Sequence, residues 1–198
     1  ITAGVKWLND NIDFDFNPKK GTEWYYQWLE QLARMGRLTG YRQFQLRGAQ
    51  AEINKRLLAT QNGDGSWGDG DRILQTCSAL DALAKSGGAM FINKLRFTGK
   101  WNSNFDDARN VLGWLENMYE LPMDWQVVDL DRASLWDCTG RVCYLSGAGR
   151  VDFNNHHVQV LRDFIGRGGI LISESAGGDG EFSLSVQRLY QKLFPTVR

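Results

Sequence analysis

Residues 168–180, which read GGILISESAGGDG, are the segment of this sequence best placed to do chemistry. The apolar run at their centre is too short for a helix and is bounded by glycines, so it predicts a buried parallel strand over residues 169–174. The small polar loop after it would lie at the carboxyl end of that strand, where open α/β sheets bind ligands. Glu174 and Ser175 are therefore candidate ligand-binding residues, and Glu174 is also a candidate acid or base.

Residues 174–178 resemble the nucleophile elbow of carboxylesterases, which holds a serine on a sharp turn between a strand and a helix. Three features argue against this role for Ser175. Ser173 stands where the elbow has glycine, the next helix is predicted to begin near Ser183, and no histidine follows His157 to complete the order serine, acid, histidine. The alternative is a glycine-rich loop that leaves space beside the sheet.

A second glycine-rich turn, Ser146-Gly147-Ala148-Gly149, ends another predicted strand. Its backbone N–H groups are candidates for binding an anion, although no lysine or hydroxyl residue follows at the spacing of a phosphate-binding loop. Amidotransferases place a nucleophilic cysteine in a comparable elbow, whereas Cys143 lies inside the strand and is expected to point into the core. A tight turn is the alternative interpretation.

His156 and His157 are adjacent, near the start of a predicted helix. Neighbours on a helix point about 100° apart, so they do not form a two-ligand metal face, and a capping or solvent-facing role is favoured. Pairing of either imidazole with Glu174 across the end of the sheet would create an acid–base pair. Glu174, His156 and His157 are thus the catalytic candidates, and no metal or cofactor is predicted.

Polar and aromatic side chains follow several predicted strands at their carboxyl ends. Such a rim is where a small polar ligand would bind. The predicted ligand-binding residues are Lys100, Trp101, Asp131, Ser146, Gly147, Gly149, Glu174 and Ser175.

The spacing of apolar residues along the chain changes near residue 88. We therefore expect a helical domain over 1–88 and an α/β domain over 89–198. The predicted helices of the first domain are 3–12, 22–36, 46–60 and 71–85. The second domain alternates strands at 92–97, 125–130, 142–146 and 169–174 with helices at 105–119, 155–165 and 183–194. This alternation predicts a parallel, three-layer sheet of strand order 2-1-3-4.

Apolar spacing predicts which helix positions are buried. They include Trp24, Trp28, Leu29, Leu32, Ile53, Leu57, Leu58, Ile73, Leu74, Cys77, Leu80, Leu83, Val111, Leu112 and Leu115. The three cysteines, Cys77, Cys138 and Cys143, have no close CxxC spacing and are interpreted as buried thiols.

Residues 61–67, QNGDGSW, fit the pattern Gln-x-x-x-Gly-x-Trp, which resembles the repeat of squalene and hopene cyclases. In that repeat the Gln and Trp link the end of one helix to the start of the next, and residues 76–80, TCSAL, resemble the run that opens the following helix. The resemblance implies helical hairpins of the α/α-toroid type. It does not imply cyclisation, because the acidic Asp-x-Asp-Asp motif is missing and residues 129–132 lack its last Asp.

Residues 94–195 resemble an uncharacterised domain found downstream of such repeats, distantly similar to the flavodoxin-like trehalose-utilisation and class I glutamine amidotransferase folds. The resemblance is carried by Trp101, YLSGAG at 144–149, LRDFI at 161–165, GGIL at 168–171 and RLYQKLFP at 188–195. It implies a flavodoxin-like fold and no assigned reaction. Where that domain has Ala-Asp-Ala-Cys-Gly, residues 173–177 keep an acid, Glu174, and replace the thiol by Ala176.

The balance of charge argues against two classes of partner. Lys+Arg and Asp+Glu both number 23, so the formal net charge is +0 and neither nucleic acid nor an anionic membrane is expected to be attracted. No apolar run approaches the roughly 18 residues of a membrane helix, and no signal-peptide pattern is present. A soluble protein is expected, with its compartment left open.

We interpret the chain as a binding or protein-interaction module that is part of a larger protein or assembly. We expect a small polar ligand at the rim, and a protein partner or second copy on the apolar face of the helical domain. The alternative is a hydrolase or transferase acting on a small polar, sugar-like substrate, with Glu174 and His156 or His157 as acid and base. A histidine and Glu174 facing one cavity would favour the enzyme.

Overall fold

The change of period near residue 88 coincides with a division of the structure into two units, Ile1–Gly88 and Ala89–Arg198. The structure is a computed structural model, and it describes residues 2–45, 47–84, 88–134 and 136–195. Each unit is built around its own set of buried apolar side chains.

The first unit consists of helices and one short hairpin: α1 (Thr2–Asn11), α2 (Tyr25–Thr39), β1 (Gln43–Phe44), β2 (Arg47–Gly48), α3 (Ala49–Thr60) and α4 (Arg72–Ala84). The hairpin was not predicted, and it moves the start of α3 from the expected residue 46 to Ala49. Helix α2 begins at Tyr25 and not at the predicted residue 22, and Trp24 occupies its cap position without a side-chain hydrogen bond.

Trp67 joins α3 to α4. Its indole Nε1 donates to the carbonyl of Leu57 at 2.8 Å, and its backbone N–H donates to Thr76 Oγ1 at 3.1 Å. The side-chain amide of Gln61 donates to the carbonyl of Gly65 at 3.0 Å and closes the intervening turn. A single buried aromatic residue therefore satisfies a carbonyl near the end of one helix and fixes the start of the next.

The buried face of α4 differs from the predicted one. The helix buries Ser78, Ala79 and Ala82 against the rest of the unit and exposes Ile73, Leu74, Cys77 and Leu80. Small side chains let two helix axes approach closely, so here packing with α2 selects the small face and overrides the apolar one. The predictions that Leu58, Val111 and Trp24 are buried are also wrong, since all three are exposed.

The second unit contains β3 (Ala89–Arg96), α5 (Asp107–Tyr119), β4 (Met123–Asp129), β5 (Val142–Gly147), α6 (Asn155–Gly166), β6 (Ile170–Ser175), a 3₁₀ turn (Ala176–Gly178) and α7 (Gly180–Leu193). The strands form a parallel sheet of order β4-β3-β5-β6, which confirms the predicted order 2-1-3-4. Helix α5 packs on one face against Ile92 and Trp125, and α6 and α7 cover the other face. The unit therefore has three layers.

Two local expectations for this unit are corrected. β6 is an edge strand whose residues alternate in exposure, with Ile170 57% and Ile172 49% exposed, so it is not the buried strand predicted. Helix α7 begins at Gly180 rather than near Ser183, because the carboxylate of Asp179 accepts the Phe182 N–H at 2.9 Å and caps it.

Buried amides hold the connection between β4 and β5, in which the described residues, 130–134 and 136–141, form no helix. The Asn93 side chain donates to the carbonyls of Gly140 and Val142 at 3.2 Å each, and Gln126 donates to Asn93 Oδ1 at 2.8 Å and to the Asp137 carbonyl at 2.7 Å. Buried amides that are fully paired fix one conformation of the backbone that they contact.

Gly147 provides a test of packing at the end of β5. A Cβ atom there would lie 2.8 Å from Phe97 and Phe182 and 2.9 Å from the Lys100 carbonyl oxygen. We expect Gly147→Ala to lower the free energy of unfolding by about 1–3 kcal/mol through overpacking. The measurement is urea unfolding of the whole chain. Gly113→Ala is the control: nothing lies within 4 Å of its Cβ position in α5, so this change should stabilise by about 0.5–1 kcal/mol.

Candidate functional site

Lys94 is a buried lysine in the centre of β3, with only 1% of its side chain exposed. Its ammonium donates to Asn102 Oδ1 at 2.7 Å, to the Asn104 carbonyl at 2.9 Å and to Asp107 Oδ1 at 2.5 Å. A buried ammonium is stable only when acceptors surround it. These contacts therefore fix the loop between β3 and α5 against the face of the sheet that α5 covers.

The predicted residues Lys100 and Trp101 flank this arrangement without forming its centre. Lys100 is exposed, whereas Trp101 is half-buried and its ring centroid lies 5.8 Å from Lys94 Nζ, within range of a cation–π contact. Sequence reasoning missed Lys94. The available signal was a lysine inside an apolar strand, since lysine is almost never fully buried unless it is paired.

Glu174 lies beside Lys94's loop, at the end of β6. The Tyr144 hydroxyl donates to Glu174 Oε2, and Asn104 Nδ2 donates to Glu174 Oε1 at 3.5 Å. Ser146 is the register partner of Glu174 on β5, so the two residues lie side by side at the carboxyl edge of the sheet. Burial, and then the hydrogen bond to Glu174, raise the pKa of Tyr144 above its usual value, so the hydroxyl remains a donor.

We call this group the Lys94 cluster: Lys94, Asn104, Asp107, Tyr144, Ser146 and Glu174. Two of its buried oxygens, Asp107 Oδ2 and Ser146 Oγ, make no hydrogen bond of normal geometry to the described residues. The Ser146 hydroxyl is nevertheless close enough to that of Tyr144 to act against the rise in its pKa. A buried polar atom without a partner costs about 1–3 kcal/mol, so such atoms are uncommon and mark positions where a further donor would be stabilising.

His157 lies in the first turn of α6, on the opposite face of the sheet, with its ring packed against that of Phe153. Its Nε2 contacts Asp131 Oδ1 at 2.9 Å, and the other oxygen of Asp131 accepts from Thr98 Oγ1 at 2.9 Å. The expected pairing of a histidine with Glu174 is therefore not formed. His156 is exposed, and it is Asn154 that caps α6.

The turn 146–149 uses its backbone groups within the protein. The Ala148 N–H donates to the Lys100 carbonyl at 3.0 Å, and the Phe182 N–H donates to the Asp179 carboxylate at 2.9 Å. The backbone N–H of Gly149 also contributes to lowering the pKa of Asp179. These N–H groups, that of Phe182 first, hold the pKa of Asp179 below its ordinary value of 3.8. The Asp179 carboxylate therefore lies beside the predicted anion site, and the Ala148 N–H is already paired.

The loop after β6 is open to solvent, but Ser175, the last residue of β6, already makes a hydrogen bond. Gly177 and Gly178 have φ values of 64° and 73°, and a Cβ at either would meet nothing within 4 Å. Ser175 Oγ donates to the Asp179 carbonyl at 2.6 Å, so it contributes to the shape of the loop. Gly147, by contrast, is closed in by Phe97 and Phe182.

Two absences among the described residues bear on function. No group of three or more His, Cys, Asp or Glu side chains in ranges 2–45, 47–84, 88–134 and 136–195 is arranged to hold a metal ion. Within the same ranges, none of the helices has the length and apolarity needed to cross a bilayer.

Comparison with known proteins gives one family. Residues 92–198 match a family described as a domain of unknown function (DUF4159). This match covers β3 to α7 and so includes all of the Lys94 cluster. The search against curated proteins gave no match.

The buried ion pair of the Lys94 cluster makes a prediction about stability. Lys94→Met leaves Asp107 buried without its cation, so we expect the free energy of unfolding to fall by about 3–5 kcal/mol. Lys100→Met, at an exposed position, should change it by no more than about 0.5 kcal/mol. Denaturant unfolding with hydrogen exchange of peptides from the second unit measures both. The double variant Lys94→Met, Asp107→Leu should recover part of the loss; equal losses for all three variants would contradict the assignment.

The Asp179 cap predicts a pH dependence. Because the folded pKa lies below 3.8, the charge of Asp179 stabilises the protein above pH ~4, and this stabilisation is lost as the pH falls through the lowered pKa. Asp179→Asn keeps a capping acceptor but removes the charge. We expect the Tm of Asp179→Asn to lie below that of the wild type near neutral pH. This difference in Tm should become smaller as the pH is lowered into the acid range.

Asp106→Asn is the matched control for this pH series. Asp106 occupies the N-cap position of α5 but its side chain makes no capping hydrogen bond. The difference in Tm between the wild type and Asp106→Asn should be smaller than that between the wild type and Asp179→Asn. A gap for Asp179→Asn that stays constant from neutral pH into acid would contradict the role given to its charge.

Proposed function

The chain belongs to the DUF4159 family, and from this premise we propose that its second unit binds a small, neutral, hydroxyl-rich ligand at the Lys94 cluster. The family is one of unknown function, so the proposal depends on the site. The observation that carries it is the pair of buried oxygens that make no hydrogen bond of normal geometry, Asp107 Oδ2 and Ser146 Oγ, beside the exposed carboxylate of Glu174. Polar groups that converge at the carboxyl edge of a parallel sheet are the usual form of a ligand site.

The charges in the cluster favour a neutral ligand over an anion. The Lys94 ammonium is already matched by Asp107 and two further acceptors. Glu174 adds a negative charge at the surface, and its carboxylate can accept hydrogen bonds from hydroxyl groups. A ligand that supplies several hydroxyl donors, such as a sugar or another polyol, therefore fits the available acceptors better than a phosphate or a carboxylate.

Aromatic side chains support the same class of ligand. Tyr144 and Trp101 are both half-buried and lie within the cluster or beside it. Their rings present apolar faces next to polar groups, as the C–H faces and hydroxyl groups of a sugar require. Asn104, which donates to Glu174, offers both an amide donor and an amide acceptor in the same loop.

Titration calorimetry of the whole chain with glucose, trehalose, inositol and phosphate tests this proposal. We expect saturable binding of at least one of the polyols and none of phosphate. Glu174→Gln should weaken the binding by about 10–100-fold, because a hydrogen bond to a charged acceptor is worth about 1.5–3 kcal/mol. Ser146→Ala should weaken it by about 3–10-fold, the value of a neutral hydrogen bond.

The stability of these variants separates binding from folding. Because Ser146 Oγ makes no hydrogen bond of normal geometry, Ser146→Ala should leave the Tm unchanged or slightly raised while affinity falls. Glu120→Gln, at an exposed position after α5, is the control for loss of a carboxylate and should leave affinity unchanged. The absence of saturable heat with every polyol, or binding that Glu174→Gln does not affect, would overturn the proposal.

A hydrolase or transferase acting on a similar ligand is the second candidate, and the Asp131–His157 contact is the observation that favours it. A carboxylate that fixes one ring nitrogen leaves the other to act as acid or base, and Nδ1 of His157 has no hydrogen-bond partner among the described residues. The Lys94 cluster lies on the other face of the sheet, however, so His157 and Glu174 do not act together in this geometry. Binding is therefore the function that the site supports best.

For the first unit we propose contact with a protein partner or with a second copy of the chain, as the toroid-type resemblance of residues 61–67 implies. The linkage of α3 to α4 by Trp67 supports this interpretation. The exposed apolar side chains of Leu58, Ile73 and Leu80, which are 69%, 80% and 52% exposed, supply a surface that such a partner could cover.

A further inference from the structure

A pocket of about 400 Å³ lies at the amino ends of β5 and β6, at the opposite end of the sheet from the Lys94 cluster. Pockets of this size are large enough to hold a small organic ligand. Its lining residues come from two segments, 136–141, which leads into β5, and 164–169, which leads into β6. It shares no residue with the Lys94 cluster, so it is a separate candidate site.

Hydrogen bonds hold the two segments in place. Asn93 Nδ2 donates to the Gly140 carbonyl at 3.2 Å, and Asn93 Oδ1 accepts from the Gly140 N–H at 3.1 Å. The Ile170 N–H donates to the Arg141 carbonyl at 3.1 Å and so joins one segment to the other. The walls of the pocket are therefore formed before any ligand binds.

The inner surface of the pocket is apolar. Cys138 and Phe164, which are 4% and 3% exposed, form its deepest part. A Cβ atom at Gly169 would lie 2.3 Å from the Phe164 ring, and one at Gly140 would lie 2.8 Å from the Phe91 carbonyl oxygen. Close packing thus requires glycine at both positions, and peptide backbone forms the wall there.

The charged residues that line the pocket are both cations, Arg141 and Arg167, and both are exposed. Asp137 is the only acid in the two segments of sequence. It does not line the pocket, and its carboxylate accepts the Ser134 N–H at 2.7 Å and the Ser134 hydroxyl at 2.8 Å. The pocket therefore carries local positive charge, which attracts anions, in a chain whose formal net charge is +0.

Trp136 adds a planar surface beside these cations. Its ring is 77% exposed, and the Arg167 guanidinium lies 5.6 Å from the ring centroid, within range of a cation–π contact. Aromatic side chains stack on other planar rings, and guanidinium groups bind carboxylate or phosphate through paired N–H donors. The two side chains together therefore suit a ligand that has both a ring and an anionic group.

We propose that this pocket binds a small organic anion that carries a planar ring. The ring stacks on Trp136 and contacts the apolar inner surface, while the carboxylate or phosphate accepts hydrogen bonds from Arg141 and Arg167. Free phosphate lacks the ring, and a neutral polyol lacks the charge, so neither uses both features. The hydroxyl-rich ligand proposed for the Lys94 cluster is a different class, and neither site requires the other.

Titration calorimetry of the whole chain with AMP and indole-3-acetate provides the test. Adenosine and indole-3-acetamide keep the two rings but lack the charge, and inorganic phosphate keeps the charge but lacks a ring. We expect saturable binding of at least one of the two anions, with its uncharged analogue and phosphate each binding at least about 10-fold more weakly. AMP and indole-3-acetate distinguish phosphate from carboxylate as the preferred anionic group.

Variants assign the binding to this pocket. Arg167→Gln should weaken it by about 10–100-fold, the value of a hydrogen bond to a charged group, and Arg141→Gln tests the second cation while keeping the contact between Arg167 and Trp136. Trp136→Ala should weaken it by about 5–100-fold, the range for stacking on an aromatic side chain. Trp114→Ala, at a 62% exposed position in α5, and Arg150→Gln, at an exposed position after β5, are the matched controls and should leave the affinity unchanged.

The stability of the variants separates binding from folding. All five positions are exposed, so the Tm of each variant should stay close to that of the wild type. The absence of saturable binding for both ring-bearing anions would overturn the proposal. Binding of the uncharged analogues as tight as that of the anions, or a loss of affinity in Trp114→Ala equal to that in Trp136→Ala, would also overturn it.

Discussion

An ammonium group in the interior of a sheet must be surrounded by acceptors, and Lys94 obtains them from Asn102 and Asn104, in the loop that follows its own strand, and from Asp107, the first residue of α5. Breaking such a pair by removing one partner leaves an uncompensated buried charge, which is far more costly than loss of an exposed ion pair. The loop between β3 and α5 is therefore held in one position. That position brings Asn104 to Glu174 and Asp107 to the edge of the sheet, so the candidate site depends on this single buried cation.

The sheet keeps its two groups of polar residues apart. Successive residues of a strand point to opposite faces, so Lys94, Tyr144 and Glu174 lie on the face with α5. His157 belongs to α6, which covers the other face, and it contacts Asp131 beyond the end of β4. In the turn after β5, the Ala148 N–H is used by the Lys100 carbonyl, and the Gly149 N–H helps to lower the pKa of Asp179. The polar residues that the sequence suggested as one site therefore have separate roles in binding, capping and packing.

The ends of the sheet also differ in chemistry. The carboxyl edge carries carboxylates, amides and hydroxyls that suit a hydroxyl-rich ligand, whereas the amino ends of β5 and β6 border a pocket with Arg141, Arg167 and the Cys138 thiol. Both regions depend on polar side chains of β3. Lys94 holds the loop between β3 and α5, and Asn93 holds the backbone at Gly140 and Val142, where β5 begins. Two adjacent residues of one central strand therefore organise both ends of the unit.

The strand order of the second unit could be predicted from the alternation of strands and helices. Its helices and glycine-rich turns could be predicted because period and chain-breaking residues are local properties. The sequence also placed Ser146 and Glu174 at the same edge, since parallel strands end together. Three features could be seen only in the folded protein: α4 buries Ala79 and Ala82 and exposes Ile73, β6 is about half exposed on one face, and His157 contacts Asp131 and not Glu174. These outcomes depend on which elements pack together, and packing is set by shape and by the pairing of buried polar groups across long separations in sequence.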